Sequence, residues 1–321
     1  MDKQLIAERF AKARGTYTRE ARVQQQVAEK MMGMLGAAVT GTLPNGGASP
    51  VTAALPTEGA SPVTATAMPS FRHIVEFGCG TGSYSRLLLH TLQPETLLLN
   101  DLCPEMEECI HELLTPESSD SGPGHSLSSD SGFDPNLGLE HSSGFGSSLA
   151  PTPPLVRFCP GDAEALDFPE ATDLITSCST LQWFNDPAAF FLRCHHALAP
   201  DGLFAFSTFG PRNMHEIRQL TGNGLDYLLL EELLALLSPH FDILLAEEEI
   251  VPLPFSTPHE VLKHLKQTGV TGTEKKIWTR GRLQTFSEAY VRQFGNAGHN
   301  STEGSVTLTY HPIYVIAKRK H

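Results

Sequence analysis

The stretch VEFGCGTG, residues 75–82, places three alternating glycines between an apolar segment and a segment with helical spacing. A strand that enters a helix through such a turn forms a ligand site at the carboxyl edge of a sheet. We expect Gly78 to let the chain turn and Gly80 to leave space where a ligand lies against the backbone. Gly82 is expected to let the helix and a strand pack closely.

Apolar segments alternate with helical patterns along most of the chain. Strand patterns occupy residues 73–78, 96–101, 155–162, 172–179 and 202–210, and helical patterns occupy 83–92, 104–114 and 186–200. Two longer alternating stretches, 241–255 and 305–320, predict an antiparallel pair at the end of the sheet. Together the segments predict an α/β, Rossmann-like fold with a doubly wound, mostly parallel seven-stranded sheet and an antiparallel C-terminal strand.

The composition favours a single domain over residues 1–321 and argues against several classes of protein. A formal net charge of −13 disfavours nucleic-acid binding. The leucine-rich stretch 227–238 is interrupted by Glu231 and Glu232 and is too short to span a membrane. The N-terminal residues lack a signal-peptide pattern, and six cysteines without CxxC spacing predict no metal site. We therefore expect a cytoplasmic monomer.

Two segments rich in Ser, Gly and Pro, 40–70 and 115–154, contain short repeats and few large apolar side chains. Such segments cannot bury enough surface to offset the entropy of ordering, so we expect disordered insertions. Residues 1–36 predict N-terminal lid helices with a break near Gly15. Residues 256–304 predict a helical lid that approaches the substrate.

The spacing of the glycines distinguishes between two kinds of cofactor. A dinucleotide-binding turn follows GxGxxG, whereas here the third glycine comes one residue earlier. Glu76 precedes the first glycine, and Asp101 ends the next predicted strand. This pattern resembles that of class I S-adenosylmethionine-dependent methyltransferases. The ammonium group of that cofactor suits Glu76, and its ribose diol suits Asp101 as hydrogen-bond acceptor.

A third part of the predicted site follows the next strand, in PGDAEAL at 160–166. In the family that the pattern resembles, an Asp at this place often accepts a hydrogen bond from the adenine amino group. The likeness therefore implies a role for Asp162 and for the backbone of Ala163. The residues that it implies for binding S-adenosylmethionine are Tyr17, Gln24, Glu76, Gly78, Cys79, Gly80, Gly82, Asp101, Leu102, Asp162, Ala163 and Ser177.

Motifs outside the glycine turn indicate which family of these methyltransferases the sequence resembles. The stretches FAKARGTYTREARVQQQVAEKM (10–31), STLQWFNDP (179–187) and TFGPRNMHEIRQLTG (208–222) resemble, in order, stretches of the malonyl-acyl-carrier-protein O-methyltransferases of biotin synthesis. Thr18 departs from the pattern, since that family usually has Asp there. The similarity covers roughly the whole chain except the two insertions.

The resemblance implies methyl transfer to the free carboxylate of a malonyl thioester on acyl-carrier protein. A carboxylate has a pKa of about 3–4 and is ionised at pH 7, so no acid–base residue is needed and catalysis rests on positioning. An arginine is expected to select the carboxylate, and among Arg212, Arg218, Arg280 and Arg282 the last two are preferred. The expected substrate-binding residues are Tyr17, Gln182, Trp183, Arg280 and Arg282.

An acidic chain that binds an acidic carrier protein needs a local basic surface. The densest basic stretch supplies the docking candidates Lys263, Lys266, Lys275 and Lys276. Two alternatives stay open. One is O-methylation of a small free acid such as aconitate, which needs the arginine but not the basic surface. The other is a catalytically silent methyltransferase fold used as an assembly factor, against which the intact turn and Asp101 argue.

Overall fold

The computed structural model describes residues 1–40, 71–115, 153–270, 279–296 and 305–321. The predicted insertions at 40–70 and 115–154 lie outside these ranges apart from their ends. Two of the predicted docking residues, Lys275 and Lys276, also lie outside the described residues.

A seven-stranded sheet forms the centre of the fold. The strands of the chain are β1 (His73–Phe77), β2 (Thr96–Asp101), β3 (Leu155–Pro160), β4 (Thr172–Cys178), β5 (Leu198–Phe209), β6 (Phe241–Glu248), β7 (Val251–Phe255), β8 (Gly295–Asn296), β9 (Ser305–Tyr310) and β10 (Pro312–Arg319). The order in the main sheet is β3-β2-β1-β4-β5-β10-β6. Strands β1 to β5 pair in parallel, and β10 is antiparallel to both β5 and β6. The predicted fold class is confirmed.

The two long alternating stretches near the end of the chain each form two strands rather than one. Strands β6 and β10 pair within the main sheet, whereas β7 pairs with β9 in a second sheet of order β7-β9-β8. One strand of sixteen residues would be about 53 Å long, far longer than the parallel strands beside it. The chain instead passes from the second sheet into the main sheet at His311, whose carbonyl accepts a hydrogen bond from the Gly210 N–H at 2.8 Å.

The main sheet is buried on both faces, which explains why its strands read as nearly continuous apolar runs. Neighbouring residues of β1 show the division, because Ile74 belongs to the core on one face and Val75 to the core on the other. On the second face, Phe77 and Phe190 pack edge to face, with ring centroids 4.9 Å apart. The order of the strands reverses between β1 and β4, which places a binding crevice beside the glycine turn.

Helices cover both faces and one edge of this sheet. They are α1 (Lys3–Glu20), α2 (Arg22–Thr40), α3 (Ser83–Leu92), α4 (Glu107–Ile110), α5 (Pro187–Ala197), α6 (His215–Thr221), α7 (Leu230–Leu237), α8 (Pro258–Gln267) and α9 (Arg280–Phe294). No helix in the described ranges combines the length and the apolar character needed to cross a membrane. The predicted helix at 104–114 is wrong as one unit, because single 3-10 turns flank the short α4 and Ile110 leaves helical geometry.

The N-terminal segment breaks at Ala21 rather than near Gly15, so this part of the prediction is wrong. Gly15 lies within α1, and the buried Ala21 separates α1 from α2. The two helices differ in composition: α1 is mostly polar, whereas α2 buries a row of Val, Met and Leu side chains against the sheet. Because the break follows this change of surroundings, α2 forms part of the core and α1 alone covers the carboxyl edge of the sheet.

We expect the substitution Gly15→Ala to stabilise the protein by about 1 kcal/mol, because glycine is unfavourable by about that amount inside an exposed helix. A Cβ on Gly15 would meet no atom within 4 Å. Urea denaturation measures the change in the free energy of unfolding. Gly269→Ala is the contrasting variant, since Gly269 has a φ of +71° and its Cβ would lie 3.0 Å from Phe10. Destabilisation by Gly15→Ala would contradict a continuous α1.

Candidate active site

The glycine turn after β1 has left-handed backbone at all three glycines, with φ values of +68°, +53° and +78°. A Cβ on Gly78 would lie 2.1 Å from the Thr180 hydroxyl oxygen, whereas one on Gly80 would meet nothing within 4 Å. The open space at Gly80 fits its predicted place beside a ligand. A Cβ on Gly82 would lie 2.7 Å from Ile110. Gly82 thus lets α3 approach α4, and the expected approach to a strand is wrong.

Asp101, at the end of β2, stabilises the glycine turn by hydrogen bonds and borders the space where a ligand would bind. Its Oδ2 accepts a hydrogen bond from the Gly80 N–H at 2.8 Å, and its Oδ1 accepts one from the Cys103 N–H at 2.8 Å. Burial raises the pKa of Asp101 to about 6, although both backbone N–H groups favour the charged form. The carboxylate is therefore mostly charged at neutral pH, and its oxygens keep lone pairs for further donors such as ribose hydroxyls.

Glu76 lies in β1 behind the turn and is only 1% exposed. Its Oε2 atom has no hydrogen-bond partner among the described residues. Burial raises the pKa of Glu76 to about 8, and the adjacent Ser85 opposes this shift. A buried carboxyl without a partner is costly unless something completes it. A cationic group bound at the turn would favour the charged form, as predicted for the ammonium of S-adenosylmethionine.

The third part of the site is held by a contact that the sequence analysis did not anticipate. Lys3 of α1 donates to Asp162 Oδ1 at 2.6 Å and also to Glu164. Asp162 Oδ1 further accepts from the Glu164 N–H at 3.0 Å. The Asp162 carboxylate thus holds α1 over the site while bordering the place predicted for adenine, beside the buried Ala163.

These parts surround one cavity, which we name the donor cavity; together with the open solvent at its mouth it holds about 730 Å³ of space. Its floor comes from the carboxyl ends of the strands and its cover from α1. The predicted residues that line it are Tyr17, Gly78, Gly80, Asp101, Leu102, Asp162, Ala163 and Trp183. The open space at Gly80 admits a ligand that lies against the backbone. The Glu76 oxygen without a partner suits a cationic group of that ligand, and the Asp101 carboxylate suits a diol. The residues therefore fit S-adenosylmethionine.

Two further cavities share Phe10 and Trp183 with the donor cavity. The inner cavity is small and is lined by Tyr17, Gln24, Ser179, Gln182, Trp183 and Tyr227 among others. The outer cavity is larger and is bordered by Arg9 and Arg218. The rings of Phe10 and Trp183 meet edge to face, with centroids 5.6 Å apart. This aromatic pair stands where the three cavities meet.

Several predicted site residues do not line these cavities. Glu76 and Gly82 support the turn from behind, as described above. The Cys79 side chain packs in the core, while its N–H donates to the Asn100 carbonyl at 2.9 Å. The Ser177 side chain is buried within β4, and the donor cavity is lined instead by the three residues after it. Arg280 and Arg282 lie in the exposed first turn of α9, so their binding of a carboxylate stays a prediction.

Some residues of the site were missed for different reasons. Lys3 and Phe10 were not predicted, yet they lie on the same face of α1 as the predicted Tyr17, and this helical spacing was a usable signal. Ser179 borders both the donor and the inner cavity, and its backbone has a φ of +59°, which is unusual for a residue other than glycine. No local sequence pattern marks Ser179, because the conformation follows from contacts with neighbouring strands.

Comparison with known sequences agrees with this arrangement. The family described as a methyltransferase domain matches residues 53–241. The match covers the glycine turn and the strands that carry the donor cavity. The doubly wound sheet, its carboxylate-bearing turn and this match define the class of the protein as a methyltransferase.

Relatives that match over their full length identify the family within that class. A malonyl-[acyl-carrier protein] O-methyltransferase of Bacteroides helcogenes is 61% identical over 323 residues, which cover 100% of both chains. One of Bacteroides thetaiotaomicron is 45% identical over 331 residues, covering 100% of this chain and 99% of its own. The chain therefore belongs to the malonyl-[acyl-carrier protein] O-methyltransferase family, which confirms the resemblance. The YcgJ protein of Bacillus subtilis superposes with a TM-score of 0.48 at 15% identity, over 78% of this chain and 94% of that one.

We expect Gly80→Ala to raise the Kd for S-adenosylmethionine at least about tenfold, because the methyl group enters space that the ligand needs. Gly222→Ala is the matched control, since Gly222 also has a positive φ, +71°, with nothing within 4 Å of an added Cβ. Both variants carry similar backbone strain, but Gly222 does not line the donor cavity. Calorimetric titration measures the two Kd values. Equal affinities in both variants would contradict this placement of the ligand.

We expect Glu76→Gln to remove a pH dependence of stability. The pKa of Glu76 is about 8 in the folded protein and 4.5 as the ordinary value, so its contribution is fully present below pH 4.5 and is lost as pH rises to 8. Each pH unit in that window is worth about 1.4 kcal/mol for a fully buried group, so the wild type loses a few kcal/mol relative to the variant. Urea unfolding from pH 5 to 9 tests this, and parallel curves would refute it.

Proposed function

We propose that this protein transfers a methyl group from S-adenosylmethionine to the free carboxylate of a malonyl thioester on acyl-carrier protein. The product is the malonyl methyl ester, an uncharged primer on the way to the pimeloyl part of biotin. The observation that carries the proposal is the 61% identity, over the full length of both chains, to a relative with that name. We further propose that the protein works in the cytoplasm as a monomer.

The residues around the donor cavity suit this chemistry without an acid–base group. When bound, S-adenosylmethionine supplies a methyl carbon on a positively charged sulfur, which keeps the electron pair of the broken bond. Asp101 holds the ribose hydroxyls, and Glu76 favours a cation at the turn. Burial and the nearby Asp101 raise the pKa of Tyr17, so its hydroxyl stays protonated and acts as a hydrogen-bond donor. The acceptor carboxylate is already ionised at neutral pH.

The cover of the site supports positioning and the exclusion of water. Phe10, Tyr17 and Trp183 separate the donor cavity from the two adjoining cavities. Thr16 donates to the Gln267 carbonyl at 2.9 Å, which ties α1 to α8. Together with the contact of Lys3, this bond fixes α1 near both ends. A rigid aromatic wall holds the reacting groups in line, and approximation of this kind can contribute several kcal/mol to catalysis.

The outer cavity offers a path for the arm of the carrier protein. Its lining is largely apolar, and Arg9 and Arg218 border it. Leu265 of α8 also lines this cavity, and the docking candidates Lys263 and Lys266 are exposed on the same helix. An acidic carrier that meets this helix could present its thioester arm toward Trp183. The docking role of Lys275 and Lys276 stays a prediction.

The two alternatives differ from this proposal in what they require of the structure. A methyltransferase for a small free acid needs no extended path beside the inner cavity, so the outer cavity favours a substrate with a long arm. A silent assembly factor needs no intact cofactor site, whereas the turn, Asp101 and Glu76 together fit S-adenosylmethionine. Identifying the acceptor that the protein methylates distinguishes the proposal from both alternatives.

Methyl transfer from labelled S-adenosylmethionine tests the proposal, with malonyl-acyl-carrier protein, malonyl-coenzyme A and aconitate as parallel acceptors. We expect a clear preference for the carrier protein. The double variant Lys263→Glu/Lys266→Glu should lower kcat/KM about tenfold for malonyl-acyl-carrier protein and leave malonyl-coenzyme A unchanged, because charge reversal weakens only carrier docking. Arg157→Glu, at an exposed position of β3, is the control. Labelling of aconitate alone would overturn the proposal.

A further inference from the structure

Ser179 occupies the wall between the donor cavity and the inner cavity. Four residues line both cavities, namely Phe10, Tyr17, Ser179 and Trp183. Only Tyr17 and Ser179 among these four carry hydroxyl groups. A group transferred from one cavity to an acceptor in the other must pass this wall, to which both residues belong.

The backbone of Ser179 is held in a strained conformation by its surroundings. Its φ is +59°, a left-handed value that is unfavourable for a residue with a side chain. Its N–H donates to the Ser207 carbonyl at 3.0 Å, and its carbonyl accepts from Gln182 Nε2 at 2.6 Å. The Gln182 Oε1 in turn accepts from the Thr208 hydroxyl at 3.2 Å. Strain that the surroundings maintain at a cavity is characteristic of functional positions.

The hydroxyl of Ser179 is buried yet has no hydrogen-bond partner among the described residues. The same holds for Gln24 Oε1, which also borders the inner cavity. A buried polar atom without a partner is unfavourable unless a ligand completes it. Two residues that line the inner cavity therefore carry unmet hydrogen-bonding capacity, and one of them, Ser179, belongs to the wall shared with the donor cavity.

We propose that the Ser179 hydroxyl, together with that of Tyr17, binds the acceptor carboxylate by neutral hydrogen bonds. This inference rests on the proposed function and names the residues that recognise the group to be methylated. The described residues that line the inner cavity are all neutral, which departs from the arginine expected from the sequence. Arg9 and Arg218 border the outer cavity instead, where they suit the anionic part of the carrier arm.

Neutral donors suit the reaction better than an arginine does. The carboxylate loses its negative charge as it becomes an ester, so a cationic partner would stabilise the starting anion more than the transition state. Hydroxyl donors orient the carboxylate with a smaller loss of this kind. They also hold the uncharged ester weakly, which favours product release.

The test compares Ser179→Ala and Ser179→Gly with Ser287→Ala. Ser287 also carries a partly buried hydroxyl, which donates to the Leu283 carbonyl at 2.9 Å, but it lines neither cavity. We expect both Ser179 variants to lower kcat/KM for malonyl-acyl-carrier protein about 10–100-fold, the loss typical of a hydrogen bond to a charged group. The Kd for S-adenosylmethionine should change less than about twofold, and Ser287→Ala should behave as wild type.

Two further measurements separate the roles of the hydroxyl and the backbone. Glycine relieves the strain at φ +59°, so recovery of activity in Ser179→Gly but not in Ser179→Ala would assign the effect to backbone geometry and overturn the inference. With S-adenosylhomocysteine present, binding of malonyl-acyl-carrier protein should weaken in both variants, while binding of acetyl-acyl-carrier protein, which lacks the carboxylate, should not.

The activity of the wild type in the same assay distinguishes a failure of the proposed function from a failure of the proposed role of Ser179. If the wild type fails to methylate malonyl-acyl-carrier protein, the proposed function is wrong. If the wild type methylates it and the Ser179 variants are equally active, the proposed function stands and the role of Ser179 is wrong.

Discussion

The close approach of the Gly78 backbone to Thr180 is the constraint on which the rest of the site depends. No side chain fits between them, since a Cβ on Gly78 would lie 2.1 Å from the Thr180 hydroxyl oxygen. This contact joins the turn after β1 to the segment after β4, at the place where the order of the sheet reverses. Gly78 and Thr180 both line the donor cavity, and Ser179, the neighbour of Thr180, lines the inner cavity as well.

The helix α1 converts this open sheet edge into an enclosed site. Its polar sequence makes it a poor core element, and contacts at both ends hold it instead: Lys3 with Asp162, and Thr16 with the Gln267 carbonyl. Phe10 and Tyr17 then reach the cavities from the same helix face. Because these few contacts are polar and partly exposed, α1 can release ligands at a lower cost than the buried α2 could.

The electrostatic character of the cavities changes along the proposed path of reaction. Asp101 lines the donor cavity, and Glu76 lies behind its glycine turn. Burial raises the pKa of Asp101 to about 6 and that of Glu76 to about 8. The inner cavity is lined by neutral side chains among the described residues, and arginines border the outer cavity. A cationic donor, a carboxylate that becomes neutral, and an anionic carrier each meet the environment that suits their charge.

The sequence by itself determined the parallel sheet, the glycine turn and the positions of Glu76, Asp101 and Asp162, because each depends on local spacing around a strand. It also determined the family, through the likeness of motifs outside the glycine turn. Other features were decided only by the tertiary structure. These features arise from contacts between residues that are distant in sequence. They are the break at Ala21, the division of the last long strands, the bond of Lys3 to Asp162 over 159 residues and the strained backbone of Ser179. Local propensity carries no information about such contacts, because they join residues that are far apart in the sequence.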